Sequence, residues 1–417
     1  MEIWQERGLA IANSNTVEKN KLGWKVPSQS GNGTYIVNLD HDEPFCTCQY
    51  FETSHKKCQH IYAVEFIVQR EQHPDGEVVT KTMRVTYAQD WPVYNEVQMH
   101  EQERFVELLR ELCNGIEQPK YRFGRPRLPL SDVIFGIVFK TYSTMSGRRF
   151  MTDLREAEAK QLVTKSPSFA STFRYLENPE LTPLLKTIIE QSASPLKSVE
   201  TDFSVDSSGF ATTTYDRWFD HKYGKERTKQ TWVKTHLMCG VKTHVVTSVE
   251  ATPFESADNI QLPALVNQTA KTFNINEVSA DKAYSDRRNL HAVQAQGGVA
   301  FIPFKVNSTG MGDNHHKFDG LWNRMWYFYN FNRDAFLAHY HKRSNVETAF
   351  SMIKAKFGGS VRAKTPTAQV NEVLCKVLCH NICVLIESIC ELGLEPTFWT
   401  FETKGAIVPK VLENWNF

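Results

Sequence analysis

The hydrophobic pattern changes period twice along the chain. Between residues 22 and 66 short alternating runs dominate: "GWKVPSQSGNGTYIVNL" reads as two strands joined at a Ser-Gly-Asn-Gly turn, and "IYAVEFIV" as a buried helix or strand after them. From 131 to 195 the period becomes helical, with "SDVIFGIVFKTYS" behind a Ser or Asp cap, "MTDLREAEAKQL" as an amphipathic helix and "SFASTFRYLEN" as a short third helix after a Ser-Pro break. Beyond 196 strands and helices alternate. "TWVKTHLMCGVKTHVVTSVEA" gives two strands about Gly240, "ADNIQLPALVNQTAKTF" a helix, "RRNLHAVQAQGG" another, and "VAFIPFK" a strand. The expected class is α/β, with a mixed sheet and flanking helices.

Two acids sit at the ends of candidate strands. In "VETDFSVD", residues 199–206, Phe203 and Val205 face one side and Asp202, Ser204 and Asp206 the other; Asp206 is expected to close the strand before a turn at Ser207, Ser208 and Gly209. Asp281 ends the run Val278-Ser279-Ala280 before a polar stretch, Ser285 to Arg288, opens a helix. Strand ends are where open α/β sheets place ligand-handling groups, although an Asp there also serves as a turn residue or helix cap. A third acid, Glu347, belongs to the spacing Y-x2-R-x3-E-x6-K formed by Tyr340, Arg343, Glu347 and Lys354. On one helix these fall at about 0°, 300°, 340° and 320°, so all four share a face. That face suits a metal-binding carboxylate beside a phosphate backbone, and equally a row of solvated ion pairs. Val346, Phe350, Ile353 and Phe357 form the apolar stripe that would bury the helix.

Taken in order, "VDSSGF", "ADKAYSD" and "YHKRSNVETAFSMIKAKFG" resemble the three catalytic segments of the DDE transposases of bacterial and archaeal insertion sequences that carry the Y-R-E-K signature. The resemblance covers roughly residues 120 to 390. It implies a ribonuclease-H-like core in which Asp206, Asp281 and Glu347 bind two Mg²⁺ (or Mn²⁺) ions, with Tyr340, Arg343 and Lys354 on the DNA strand near the element's end. Two divalent ions about 3.5 to 4 Å apart serve in-line displacement at phosphorus, which needs no Ser or Cys nucleophile. The implied activity is cleavage at the ends of a mobile element and strand transfer into target DNA. Implied partners are double-stranded DNA, both transposon ends and target, and a second copy of the chain once assembled on DNA. The implied setting is the prokaryotic cytoplasm, at the nucleoid. Two alternatives stay open: a domesticated, non-catalytic zinc-containing DNA-binding protein, and a metal-dependent nuclease that cleaves without joining.

A separate motif precedes this. Cys46-x-Cys48, nine residues, then Cys58-x-His60 gives three thiolates and an imidazole, a closed set suited to one structural Zn²⁺. Residues 22–66 resemble a SWIM zinc finger, a module associated with DNA or protein binding. His55, Lys56 and Lys57 between the ligands read as a phosphate-facing loop or as ordinary solvated polar residues.

Composition adds less. At 417 residues, 41% hydrophobic, the chain can bury at least two cores. No run of eighteen apolar residues stands out, and "MEIWQE" lacks the order of a signal peptide, so no membrane role is expected. The net charge of +1 conceals a basic arm, "KYRFGRPR" at 120–127, in which Arg122, Arg125 and Arg127 read as a phosphate-tracking linker or as an AT-hook. Arg174 and Tyr175 would meet DNA if the helical stretch is a helix-turn-helix, or support the catalytic domain if it is a plain bundle. Cys375, Cys379 and Cys383, spread over three helical turns, read as small buried hydrophobes rather than ligands. Trp322 and Trp326 fall in the long segment before Tyr340 and read as helix packing or as a base-stacking platform. The expected organisation is a finger at 1–75, a linker with the basic arm at 76–130, a helical domain at 131–195, the catalytic domain at 196–395 and a tail at 396–417.

Overall fold

The computed structural model describes residues 3–13, 17–20, 23–28, 33–39, 44–72, 91–119, 128–212, 232–253, 255–310 and 319–399. The basic-arm residues Arg122, Arg125 and Arg127 lie outside the described residues. The chain divides into two compact units, Met1–Phe105 with Leu385–Thr397, and Val106–Val384 with Phe398–Phe417.

The first unit is built from α1 (Ile3–Asn13), β1 (Glu18–Asn20), β2 (Gly23–Pro27), β3 (Thr34–Asn38), β4 (Phe45–Cys46), α2 (Gln49–Ser54) and α3 (Gln59–Gln72). Its four strands pair antiparallel in sequence order. Trp24, Val37 and Cys46 form one rung across the sheet, and all three are buried. The alternation of β2 and β3 therefore delivers Cys46 to the inner face. α1 approaches α3 through Gly8, where a Cβ would stand 2.6 Å from that of Tyr62.

The second unit starts within α4 (Trp91–Cys113), a helix inside the stretch read as a linker, and continues with α5 (Leu130–Ser143), α6 (Gly147–Ala159), α7 (Phe169–Leu176) and α8 (Leu181–Ala193). α5 is buried from Asp132 through Phe139, as expected of a helix apolar nearly all round. Its one buried acid, Asp132, accepts bonds from Arg110 at 2.8 Å and from the Thr164 N–H at 2.9 Å.

The sheet of this unit comprises β5 (Asp202–Ala211), β6 (Trp232–Gly240), β7 (Val246–Thr252), β8 (Glu277–Ala280) and β9 (Val299–Phe301), in the order β7-β6-β5-β8-β9. β5, β6 and β7 form an antiparallel meander, and β8 and β9 run parallel to β5. Helices α9 (Leu262–Thr269) and α10 (Arg287–Ala295) make the crossovers. This is the expected mixed α/β, ribonuclease-H-like succession. After it come α11 (Gly320–Phe331), α12 (Arg333–Tyr340), a 3-10 turn at His341–Arg343, α13 (Ser344–Phe357) and α14 (Pro366–Leu392). Val346, Phe350, Ile353 and Phe357 are buried, and α13 lies against β5 and β6.

Two expectations need correcting. β5 does not end at Asp206 but runs to Ala211, because β6 continues to pair with it from Ser207 opposite His236 to Ala211 opposite Trp232. Gly209 permits this, since a Cβ there would meet the Trp232 ring at 2.7 Å. The Y-R-E-K residues do not occupy one helix: Tyr340 ends α12, Arg343 closes the 3-10 turn, and Glu347 and Lys354 lie on α13. The helix α14 is long and apolar enough to cross a membrane by length and composition, yet 83% of its most apolar window is buried inside the protein. It is a core helix, and Cys375 and Cys379 are buried on it as small hydrophobes.

Candidate active site and metal centre

Register brings two of the acids together. β5 and β8 pair in parallel up to Val205 opposite Ala280, so the next residue on each strand, Asp206 and Asp281, emerges side by side where that pairing stops. Neighbouring strands are about 4.8 Å apart. Asp281 also caps the following 3-10 turn, its carboxylate accepting from the Lys282 N–H at 2.7 Å. Glu347 arrives from α13. Arg343 joins it to Asp206, donating from Nη1 to Asp206 Oδ2 at 2.7 Å and from Nη2 to Glu347 Oε1 at 2.5 Å. The three acids thus converge from the middle of β5, the end of β8 and a helix, with one guanidinium bridging two of them.

The electrostatics are those of a site short of positive charge. Burial holds the Asp206 carboxyl above the usual carboxylate range, and the charges of Asp281 and Glu347 push the same way; the Ser207 N–H and Arg343 oppose them. Tyr340, partly buried, is also raised, first by burial. Lys354 donates to Ser208 Oγ at 2.6 Å and lies over the rings of Phe210 and Phe350. Ser208 is two residues past Asp206, hence on the same face of β5. Burial lowers the Lys354 ammonium. The carboxylate set suits a hard divalent cation such as Mg²⁺ or Mn²⁺, which takes oxygen ligands and keeps several waters. Asp206, Asp281 and Glu347 are the residues that would hold it.

Residues without a role in the sequence reading surround this cluster. Tyr284 lies in the quoted "ADKAYSD" block, and its buried hydroxyl is 3.3 Å from His236 Nδ1. Burial, then the charges of Asp258, Asp206 and Asp281, raise its pKa. His236 is pushed down to about 4, first by burial, and is neutral at physiological pH. No sequence signal marked His236; only the β6 register, opposite Ser207, brings it here. Lys342, between Tyr340 and Arg343, lies outside the Y-R-E-K spacing. It binds Asp202 at 2.6 Å and Glu277 at 2.7 Å, fastening the 3-10 turn to the roots of β5 and β8. Asp202, on the same strand face as Asp206, is engaged in that clamp four residues down the strand. The indoles of Trp322 and Trp326 donate to the Thr309 and Ser308 carbonyls, a packing role. Arg174 is on the exposed side of α7, and Tyr175 is half-buried beside it.

The second constellation is in the first unit. Cys46, Cys48, Cys58 and His60 are all buried, and their ligand atoms lie within 4.8 Å of one another. Cys46 ends β4, Cys48 caps α2, and Cys58 and His60 straddle the start of α3. His60 Nδ1 is 3.7 Å from both the Cys46 and the Cys58 sulfur, which puts that nitrogen on the inside of the cluster. Cys46 is raised, first by its bonds to Cys48 and Cys58 and then by burial; Cys58, though burial raises it, is pulled down by the same bonds. Three buried thiols cannot all ionise without a cation among them, and the set fits tetrahedral zinc. Residues of the far C-terminal segment close the site: Gln59 donates to the Leu392 carbonyl at 2.9 Å and Tyr35 to that of Gly393 at 2.9 Å. Gly393, at φ +57°, is left-handed, and its side-chain position faces Cys48 and His60. In the intervening loop Lys57 is paired with Glu65 at 2.6 Å rather than turned to solvent alone.

Comparison with known families agrees with both constellations. Residues 197–382 match the transposase DDE domain, and residues 35–69 match the SWIM zinc finger. The chain therefore carries a DDE transposase domain with a SWIM zinc finger N-terminal to it.

Proposed function

We propose, for a chain that carries a DDE transposase domain behind a SWIM zinc finger, that it cuts the ends of a mobile DNA element and joins them to target DNA. The observation that carries this reading is the convergence of Asp206, Asp281 and Glu347, with Arg343 bridging two of them. Divalent ions bound there would activate the attacking oxygen and stabilise the leaving one. The remaining roles fall to the chain itself. Arg343 balances the acids and, with Tyr340 beside it, faces the phosphate to be broken. Lys354, fixed on Ser208, offers a cation one step along β5 from Asp206. Tyr284 and the neutral His236 pack against each other on the Ser207 side of β5. Asp206, Asp281 and Glu347 would hold Mg²⁺ or Mn²⁺, two ions per site, and Cys46, Cys48, Cys58 and His60 would hold one structural Zn²⁺. Two copies of the chain act together on paired ends, in the cytoplasm at the nucleoid.

Purified protein incubated with a linear duplex carrying the element's ends, with and without Mg²⁺, tests this. Nicks at the ends followed by joined products are expected only with the metal. Nicks without joining would leave the nuclease reading, and binding without nicks the non-catalytic one.

Lys354→Gln should weaken binding to end DNA and reduce the slope of log affinity against log salt by about one phosphate contact. A fall in melting temperature with an unchanged slope would instead assign Lys354 to holding β5 against α13.

A further inference from the structure

We propose that a phosphate-binding site separate from the three acids lies in the small cavity between α5, the turn that follows α13, and α14, and that it takes a backbone phosphate of the bound DNA. This rests on the DNA-joining reading above for the identity of the ligand, but not for the existence of the site.

The cavity has a volume of about 60 Å³ and is walled by Lys140, Arg362, Lys376 and Glu372, with Gly358 and Ser360 at its base. A single water needs about 10–15 Å³ of such space, so there is room for a tetrahedral oxyanion. Its charges do not balance. Three cations line it against one carboxylate, and that carboxylate is engaged elsewhere: Glu372 accepts from the Arg362 N–H at 2.9 and 3.1 Å and from the Ala363 N–H at 2.8 Å. Lys376, only 3% exposed, donates to the Gly358 and Ser360 carbonyls at 2.8 and 2.6 Å. Two of its three protons are thereby used. Arg362 donates from Nη1 to the Thr144 carbonyl at 2.6 Å and Lys140 lies over the Phe173 ring, which uses only part of the donor capacity of each; the rest converges on the same space. Burial brings Lys376 down to about 8 and lowers Lys140 as well; Glu372 opposes this on both, and Arg362 adds to it. An anion in the cavity would offset the burial of both lysines.

Its position relates it to the acids. The turn is stitched to the end of β5, where the Ala211 N–H donates to the Gly359 carbonyl at 3.0 Å and the Val361 N–H to the Ala211 carbonyl at 2.8 Å. Ala211 is five residues beyond Asp206 on one strand. That spans about 17 Å, with Lys354 on Ser208 between them. At about 3.4 Å of duplex axis per phosphate on one strand, the cavity is roughly five nucleotides from the reacting bond. β5 thus carries three consecutive points of a phosphate track: the acids, Lys354, and this cavity.

The test uses Lys140→Gln and Arg362→Gln in the full chain, leaving Lys376 in place because it pins the turn, with Arg362→Lys as the charge-preserving partner. In the first arm, inorganic phosphate is titrated and its ³¹P line width followed. The parent protein should broaden the signal, both Gln variants should lose most of that effect, and Arg362→Lys should restore it. In the second arm, binding is measured without metal to an end duplex reaching ten base pairs past the cleaved bond and to one stopping three base pairs past it. Each Gln variant should weaken binding to the long duplex about fivefold, with a salt slope shallower by about one, and weaken the short one markedly less. Equal weakening on both lengths, or none on the long one, would overturn the assignment to DNA. Lost ³¹P broadening with unaltered DNA binding would make this a site for free phosphate. No broadening by the parent would remove the site altogether. Failure of the parent to bind either duplex would refute the proposed function, and the first arm would still decide whether the cavity takes phosphate.

Discussion

Asp206→Asn should abolish metal-dependent nicking of end DNA, by about a thousandfold or roughly 4 kcal/mol of barrier, without destabilising the metal-free protein. Asp206 is ordered between two strands, accepts the Ser207 N–H and Arg343, and has Asp281 and Glu347 for neighbours. An amide of the same shape keeps the packing and removes one of three mutually repelling charges. The pH dependence follows from the direction of the shift. The folded state raises the pKa of Asp206 above its ordinary 3.8. A group so raised contributes stability when protonated, at pH below that ordinary value, and the contribution is lost as pH rises through the folded-state pKa. At neutral pH the parent therefore carries an ionised, desolvated carboxylate that the variant lacks. The melting temperature of Asp206→Asn should equal or exceed that of the parent near pH 7, and the difference should shrink as the pH falls toward 4. Mg²⁺ should then raise the parent's melting temperature and leave the variant's nearly unmoved, because only a ligand bound to the folded state stabilises it. Retained nicking, or a variant that melts well below the parent, would show that Asp206 holds the sheet together rather than the metal.

Cys58→Ser should cost the protein its zinc and unfold the finger while the second unit keeps its own transition. A structural zinc site contributes about 10–16 kcal/mol of coupled binding and folding free energy in small modules. The first unit has little else to replace it: β4 is two residues long and α2 six. Elemental analysis of the parent should give one zinc per chain, and cobalt substitution should give the spectrum of a tetrahedral thiolate site. Hydrogen exchange should rise in the variant across Gly23–Pro27 and Thr34–Asn38, whose rungs end on Cys46. Cys239→Ser is the control, since that thiol is equally buried but stands beside Ser204 in the other unit. Zinc absent from the parent, or a finger that stays protected in Cys58→Ser, would show that the four side chains are merely packed.

What the sequence by itself determined was chemistry and local period. The ligand spacing of Cys46, Cys48, Cys58 and His60 was readable because a metal centre in so short a segment needs its donors close in the chain. The apolar stripe of α13 was readable because helical period survives without knowledge of what covers it. The acids could be nominated one at a time, yet nothing in their local sequence says that they meet. That was decided by pairing: the parallel register of Val205 with Ala280 sets Asp206 against Asp281, and Lys342, bound to Asp202 and Glu277, brings Arg343 and Glu347 over them. The length of β5 was likewise a tertiary matter. Ser207, Ser208 and Gly209 have turn propensity, but β6 pairs with them and Trp232 needs the space at Gly209, so long-range hydrogen bonds and packing outweighed local preference. His236, Lys140 and Arg362 carry no motif at all. Their places beside Tyr284 and around the cavity come from neighbours far away in sequence, because a charge or an imidazole acquires meaning only from what the fold sets against it.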